Sequence, residues 1–116
     1  MSGCVFCDII DGKAEATVVA ETLNSITIVP LNPVTEGHLL VIPKIHAAYI
    51  WELPGWNGGV LYDIGEQARQ AYPCNIIQSN GAEATQTVLH VHFHIVPRRE
   101  GDGLMLPWSD PQEGGG

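Results

Sequence analysis

Alternation of apolar and polar positions is sharpest late in the chain, where Val88 to Pro97 reads V-L-H-V-H-F-H-I-V-P. Successive side chains of a β-strand point to opposite faces, so a strand here puts Leu89, Val91, Phe93 and Ile95 on one side and His90, His92 and His94 on the other. One side is to be buried and the other presents imidazoles. Neighbouring imidazoles start about 6.6 Å apart, from a rise of about 3.3 Å per residue, close enough to act together on one small group.

Upstream, the β-branched run from Thr17 to Leu31 predicts two short strands around a turn at Leu23-Asn24-Ser25, closed by Pro30 and Pro33. The run from Gly37 to Pro43 predicts a buried strand headed by His38, a residue that taken singly reads more readily as a packed polar group than as a catalytic one. A helix is predicted from Lys44 to Leu53, stopped by Pro54-Gly55. A second, from about Gly59 to Tyr72, carries Val60, Leu61, Ile64, Ala68 and Ala71 on one stripe, with Asp63, Glu66, Arg69 and Gln70 mostly outside it. Cys74 to Ser79 predicts the strand before the histidine strand. The Asn80 to Gln86 link is too long for a tight hairpin and delivers Thr87 just ahead of the histidines.

Composition narrows the class. At 116 residues the chain is one domain, able to bury a core without disulfides. That domain is expected over residues 1–108, with Trp108 anchoring the Gly- and Pro-rich end and 109–116 a flexible tail. Five cationic residues against thirteen acids give a net charge of -8, which argues against a nucleic-acid footprint and against an anionic membrane surface. A bound phosphate must therefore be held locally, by backbone amides, imidazoles or the Arg98-Arg99 pair. No run approaches the roughly 20 apolar residues of a membrane span, and the N-terminus lacks the regions of a secretory leader, so the cytoplasm is expected.

Histidine titrates near neutrality, so a row of three suits proton transfer, nucleophilic attack or metal binding. Three cysteines are an odd count, and Cys4-x-x-Cys7 in a reducing compartment points to metal or redox chemistry before a disulfide. Zinc wants four ligands, usually from more than one segment, and His46 with one histidine of the row are the obvious additional donors. Cys74, close to Ile76 and Ile77, reads as a small core residue.

Taken together, C-V-F-C-D-I-I-D-G-K-A, N-P-V-T-E-G-H-L-L-V-I-P-K-I-H and Q-T-V-L-H-V-H-F-H-I-V-P-R, with a later G-D-G and a Trp, resemble the histidine triad nucleotide-binding family, in particular its zinc-containing bacterial members. The resemblance implies an α+β, HIT-like fold: an antiparallel sheet of about five strands with two helices packed on one side, usually paired as a homodimer. It implies a hydrolase or nucleotidyl transferase acting at the α-phosphorus of a purine nucleoside phosphoramidate or dinucleoside polyphosphate through a nucleotidyl-histidine intermediate. Carried over by position, His92 matches the nucleophile, His94 and His38 the phosphate-binding groups, and Thr87 the hydroxyl that assists the leaving group. Ser79, Asn80 and Gln86 match the substrate-facing loop. Cys4, Cys7, His46 and His90 match the ligands of a structural zinc.

Three positions depart from the family pattern. Pro30 stands where many members carry an acidic residue for the ribose hydroxyls, Ser79 where an amide is usual, and Thr85 where a glycine is common. The second helix is short for a family that often uses it in the dimer. Two further readings stay open: a low-turnover nucleotide-binding module that signals through a partner, and a metal carrier or metalloenzyme using the histidine row.

Overall fold

The computed structural model describes residues 3–55 and 58–108. In chain order the elements are helix α1 (Val5–Ile10), strands β1 (Thr17–Glu21), β2 (Ser25–Val29) and β3 (Leu39–Pro43), helix α2 (Gly58–Ala71), and strands β4 (Cys74–Ile77) and β5 (Phe93–Pro97). All pairings are antiparallel, in the order β1-β2-β3-β5-β4. Among the described residues no helix is long and apolar enough to cross a membrane.

Strand alternation divides the core in two. Val41, Phe93 and Ile95 look to one face, where Val60 and Ile64 of α2 cover them. Leu40 and Ile42 look to the other, with Ile26 and Ile28, where Cys4 and Phe6 cover them. The five-stranded sheet with two helices stands as expected in outline and α2 is the helix predicted from about Gly59, but the other helix is α1, which is not among those predicted and which covers the opposite face from α2. A helix of six residues is not stable alone. Burial of Phe6, a side chain of the size that contributes about 1.5–3 kcal/mol when fully covered, is what docks α1.

The segment from Lys44 to Leu53 forms no α-helix, only a 3-10 turn at Ile50–Glu52. Other segments have claimed its backbone. Val91 N–H donates to the Ala47 carbonyl at 2.7 Å, Gln86 Nε2 to the Ala48 carbonyl at 2.7 Å, and Ile50 N–H to Asn80 Oδ1 at 2.9 Å. No i to i−4 ladder can form through those groups.

The histidine strand is also shorter than expected, beginning at Phe93 instead of Val88. Its pairing with β3 runs Leu39↔Ile95, Leu40↔His94 and Val41↔Phe93. Two steps further along this register, Val91 would face Pro43, which has no N–H to donate, and Val91 turns to Ala47 instead. Leu89, assigned to the buried side, is exposed, and His90 and His92, assigned to the presented side, are buried.

In α2, Leu61 is 71% exposed and Asp63 only 8%, the reverse of the helical stripe. The Thr22 and Ser25 hydroxyls, at the β1–β2 turn, donate to the Asp63 carboxylate at 2.6 and 2.7 Å and draw it inward. Cys74 is half-buried against the α2 side of the core, as expected of a small core residue.

Trp108 is 67% exposed, so it is not the buried anchor expected of it. Arg98 does that work, donating to Asp102 at 2.8 Å, to Asn75 Oδ1 at 2.6 Å and to the Leu104 carbonyl at 2.7 Å, and it holds the Asp102 carboxyl well below the usual carboxylate range. The tail expected at 109–116 lies outside the described residues.

Candidate functional site

Gly37, at φ 87°, lets the chain turn into β3, and a Cβ there would meet Pro97 Cγ at 3.1 Å. His38 follows, buried at 4% exposure. The Val34 N–H donates to His38 Nδ1 at 3.1 Å, so the neutral ring carries its proton on Nε2 and donates it to His94 Nδ1 at 3.0 Å. His94 is thereby left with a protonated Nε2. His92 is set the opposite way, because its Nδ1–H donates to the His90 carbonyl at 2.8 Å and its Nε2 keeps a lone pair. The His92 and His94 rings are 5.2 Å apart, which puts a nucleophilic nitrogen beside a hydrogen-bond donor.

Burial pushes the His38 imidazolium below its ordinary range. Burial, then the neighbouring His92 and His38, brings His94 down to about 4. Both rings are neutral at pH 7. A folded-state pKa below the unfolded 6.5 means that the unfolded chain binds the extra protons, so stability is complete above about pH 6.5 and falls as the pH drops toward 4. The melting temperature is expected to fall from pH 7 to pH 5, and to fall less in a His38→Gln, His94→Gln double variant. An equal fall in both proteins would count against this assignment.

A second cluster lies beside the first. Cys4 Sγ, Cys7 Sγ, His46 Nδ1 and His90 Nδ1 all fall within 4.8 Å of one another. The separations are 3.4 Å for Cys4–His90, 3.2 Å for Cys7–His46, 3.6 Å for Cys7–His90 and 3.1 Å for His46–His90. Tetrahedral ligands at zinc bond lengths stand about 3.3–3.8 Å apart, so the donor set fits a metal ion. His90 donates its Nε2–H to the Pro43 carbonyl at 2.8 Å, which keeps Nδ1 as the lone-pair atom aimed into the cluster. Burial, with Cys4 adjoining, pushes the Cys7 thiol up to about 11, a proton that a bound cation displaces. His46 reaches the cluster from a loop instead of the helix start assigned to it. Of the histidine row only His90 takes part, so the row as a whole is not the metal site.

The loop residues assigned to the substrate also make contacts within the protein. Gln86 is buried, with Nε2 donating to the Ala48 and Val88 carbonyls at 2.7 and 3.1 Å and Oε1 accepting from Gly81 N–H at 2.7 Å. Asn80 Nδ2 donates to Gln78 Oε1 at 2.8 Å while Oδ1 accepts from Ile50 N–H at 2.9 Å. Both amides brace the protein's own backbone. Ser79 is half-buried, and its carbonyl accepts from Gln78 Nε2 at 3.1 Å. Thr87 is exposed and opens onto a cleft of about 520 Å³ shared with Gly3, Cys4, Val5 and His46, on the metal-cluster side. Arg98 is engaged with Asp102, and Arg99 donates to Thr35 Oγ1 at 2.8 Å.

Thr85 sits at φ 73°, left-handed backbone that a β-branched residue adopts at a cost of about 1–2 kcal/mol. Part of the relief on changing it to glycine is offset by the freedom glycine gains in the unfolded chain. Thr85→Gly is expected to stabilise by up to about 1 kcal/mol, or about 3–5 °C in a thermal melt. A lower melting temperature would contradict it.

Sequence reasoning missed two partners of the triad. The Val34 N–H is a backbone group and leaves no trace in the sequence. Phe6, whose ring lies 5.0 Å from that of His92, carried only the signal of an aromatic between two cysteines.

The HIT domain family model matches residues 11–101. An uncharacterised HIT-like protein of Methanocaldococcus jannaschii is 37% identical, over 92% of this chain and 88% of that protein. An adenosine 5'-monophosphoramidase of Schizosaccharomyces pombe is 38% identical, over 90% and 82%. Among solved structures, a Zn-bound histidine triad family protein from Mycobacterium smegmatis superposes with a TM-score of 0.79 at 36% identity, over 97% of this chain and 87% of that one.

Proposed function

The chain belongs to the histidine triad (HIT) family, and we propose that it is a nucleotide hydrolase or nucleotidyl transferase acting at the α-phosphorus of a purine nucleoside phosphoramidate or dinucleoside polyphosphate. The observation that carries the reading is the opposed proton placement of His92 and His94. His92 Nε2 attacks the α-phosphorus as the bond to the leaving amine or phosphate breaks, giving a nucleotidyl-His92 whose imidazolium charge is met by the His90 carbonyl. His94 Nε2–H donates to a non-bridging oxygen, and His38 holds His94 in that tautomer. The Thr87 hydroxyl hydrogen-bonds the departing group, which takes its proton from solvent. Water then attacks the same phosphorus and restores His92. Ser79, Asn80 and Gln86 shape the loop wall around the nucleotide.

Cys4, Cys7, His46 and His90 hold zinc, which ties the N-terminus to the sheet. The free cysteines suit a reducing cytoplasm. A second copy of the chain continues the sheet at β4, the edge strand that exposes Ile76 and Ile77 beside Tyr72. Sedimentation at micromolar concentration is expected to give twice the monomer mass.

Trapping tests the chemistry. Denaturing the protein in mid-turnover of an adenosine phosphoramidate should leave adenylate on the peptide carrying residues 90–97, at His92; product formation with no adduct, or an adduct elsewhere, overturns the intermediate. The engaged amides of Asn80 and Gln86 favour a second reading, a binding module with slow turnover. Tight nucleotide binding with no product over hours would select it.

A further inference from the structure

His92 lacks the usual constraints on a strand residue. It precedes β5, and its χ2 torsion is broad and roughly two-fold, so neither the ladder nor the rotamer fixes whether Nδ1 or Cδ2 faces the His90 carbonyl. One hydrogen bond, Nδ1–H to the His90 carbonyl, marks the correct orientation. Two rings bracket the imidazole: His94 at 5.2 Å and 61°, and Phe6 at 5.0 Å and 77°. His94 is reserved for the phosphoryl group. Phe6 is 6% exposed and seated among Cys4, Ile26, Ile28, Leu40 and Ile42, so it cannot swing aside. The same ring stands edge-on to His90 at 5.9 Å, the residue whose carbonyl receives the His92 proton.

We propose that Phe6 is a positioning residue for the reaction, holding the His92 ring in the one orientation that keeps Nδ1–H on the His90 carbonyl and Nε2 toward phosphorus. The inference rests on His92 being the nucleophile. Phe6 lies between Cys4 and Cys7 in sequence, on the helix those two residues tie to His46 and His90. The metal-binding segment therefore carries the wedge that sets the nucleophile, and a half-turn of the ring about χ2 would take Nδ1–H off the His90 carbonyl and put Cε1–H where Nε2 had stood.

The test pairs Phe6→Leu, which keeps an apolar side chain but removes the ring, with Ile28→Ala, a truncation in the same cluster with no ring on His92. Two-bond proton–nitrogen spectra of the folded holo proteins read the His92 tautomer without substrate. Wild type and Ile28→Ala are expected to hold a single Nδ1–H form and Phe6→Leu a mixture with Nε2–H. In turnover, Phe6→Leu is expected to lose about tenfold in kcat with KM changed less than about twofold, since misplacement of a reacting atom costs rate more than affinity. A single Nδ1–H tautomer and wild-type kcat in Phe6→Leu overturn the proposal, as does the same loss in Ile28→Ala. If wild type itself forms no product, the hydrolase reading fails, and the tautomer spectra still decide the role of Phe6.

Discussion

Replacing His92 with alanine is expected to lower kcat on an adenosine phosphoramidate by about 10⁴-fold or more, the scale seen when a covalent nucleophile is removed. The size follows from what the ring does. It supplies the electron pair that splits one displacement into two, and no other described group near the site offers a free imidazole lone pair: His94 Nδ1 accepts from His38, His38 Nδ1 accepts from Val34, and His90 Nδ1 faces the cysteines. Nucleotide affinity should change far less, because the donors to the phosphoryl oxygens remain. Equal turnover by both proteins would end the claim that the row is catalytic. His92→Asn adds a second reading, since its amide keeps a donor for the His90 carbonyl without a nucleophile and should be as slow as alanine.

Much of this was legible in the chain. The three strands β1 to β3 and the length of α2 follow from local rules, β-branched runs and Pro and Gly punctuation; ligand chemistry points to Cys4, Cys7 and His46, and the choice of His90 within the row comes from the family resemblance. What could not be read there depended on long-range demands for backbone hydrogen bonds. Lys44 to Leu53 has a helical spacing, yet its carbonyls serve Val91 and Gln86, more than thirty residues later in the chain. The histidine strand looked continuous because alternation is a property of side chains, whereas its start is set by Pro43 on a neighbouring strand. Asp63 reads from helical spacing as a surface residue, and only the turn hydroxyls of Thr22 and Ser25, distant in sequence, explain its burial. Asn80 and Gln86 show the same limit at the site, where residue type fits a substrate contact and only the fold reveals that both amides also brace backbone groups.

Removing the metal should be the largest perturbation of stability. Cys4 caps α1 and forms, with Phe6, the cover over Ile26, Ile28, Leu40 and Ile42, with Ile9 and Ile10 packed at its margin; six residues of helix depend on that cover and on the ligands at Cys4 and Cys7 to stay there. Without a cation the four ligands crowd within 4.8 Å of one another with no positive charge between them, and the Cys7 thiol stays protonated. Chelation or Cys4→Ala is therefore expected to release α1 and lower the melting temperature by about 10 °C, the equivalent of roughly 2–3 kcal/mol in a domain of this size. His94→Ala, four residues from His90 but outside the cluster, should retain one zinc per chain. Elemental analysis beside the melts separates the cases: zinc kept by Cys4→Ala, or lost from His94→Ala, would mean that the ion belongs to the triad and that His92 is not free to attack phosphorus.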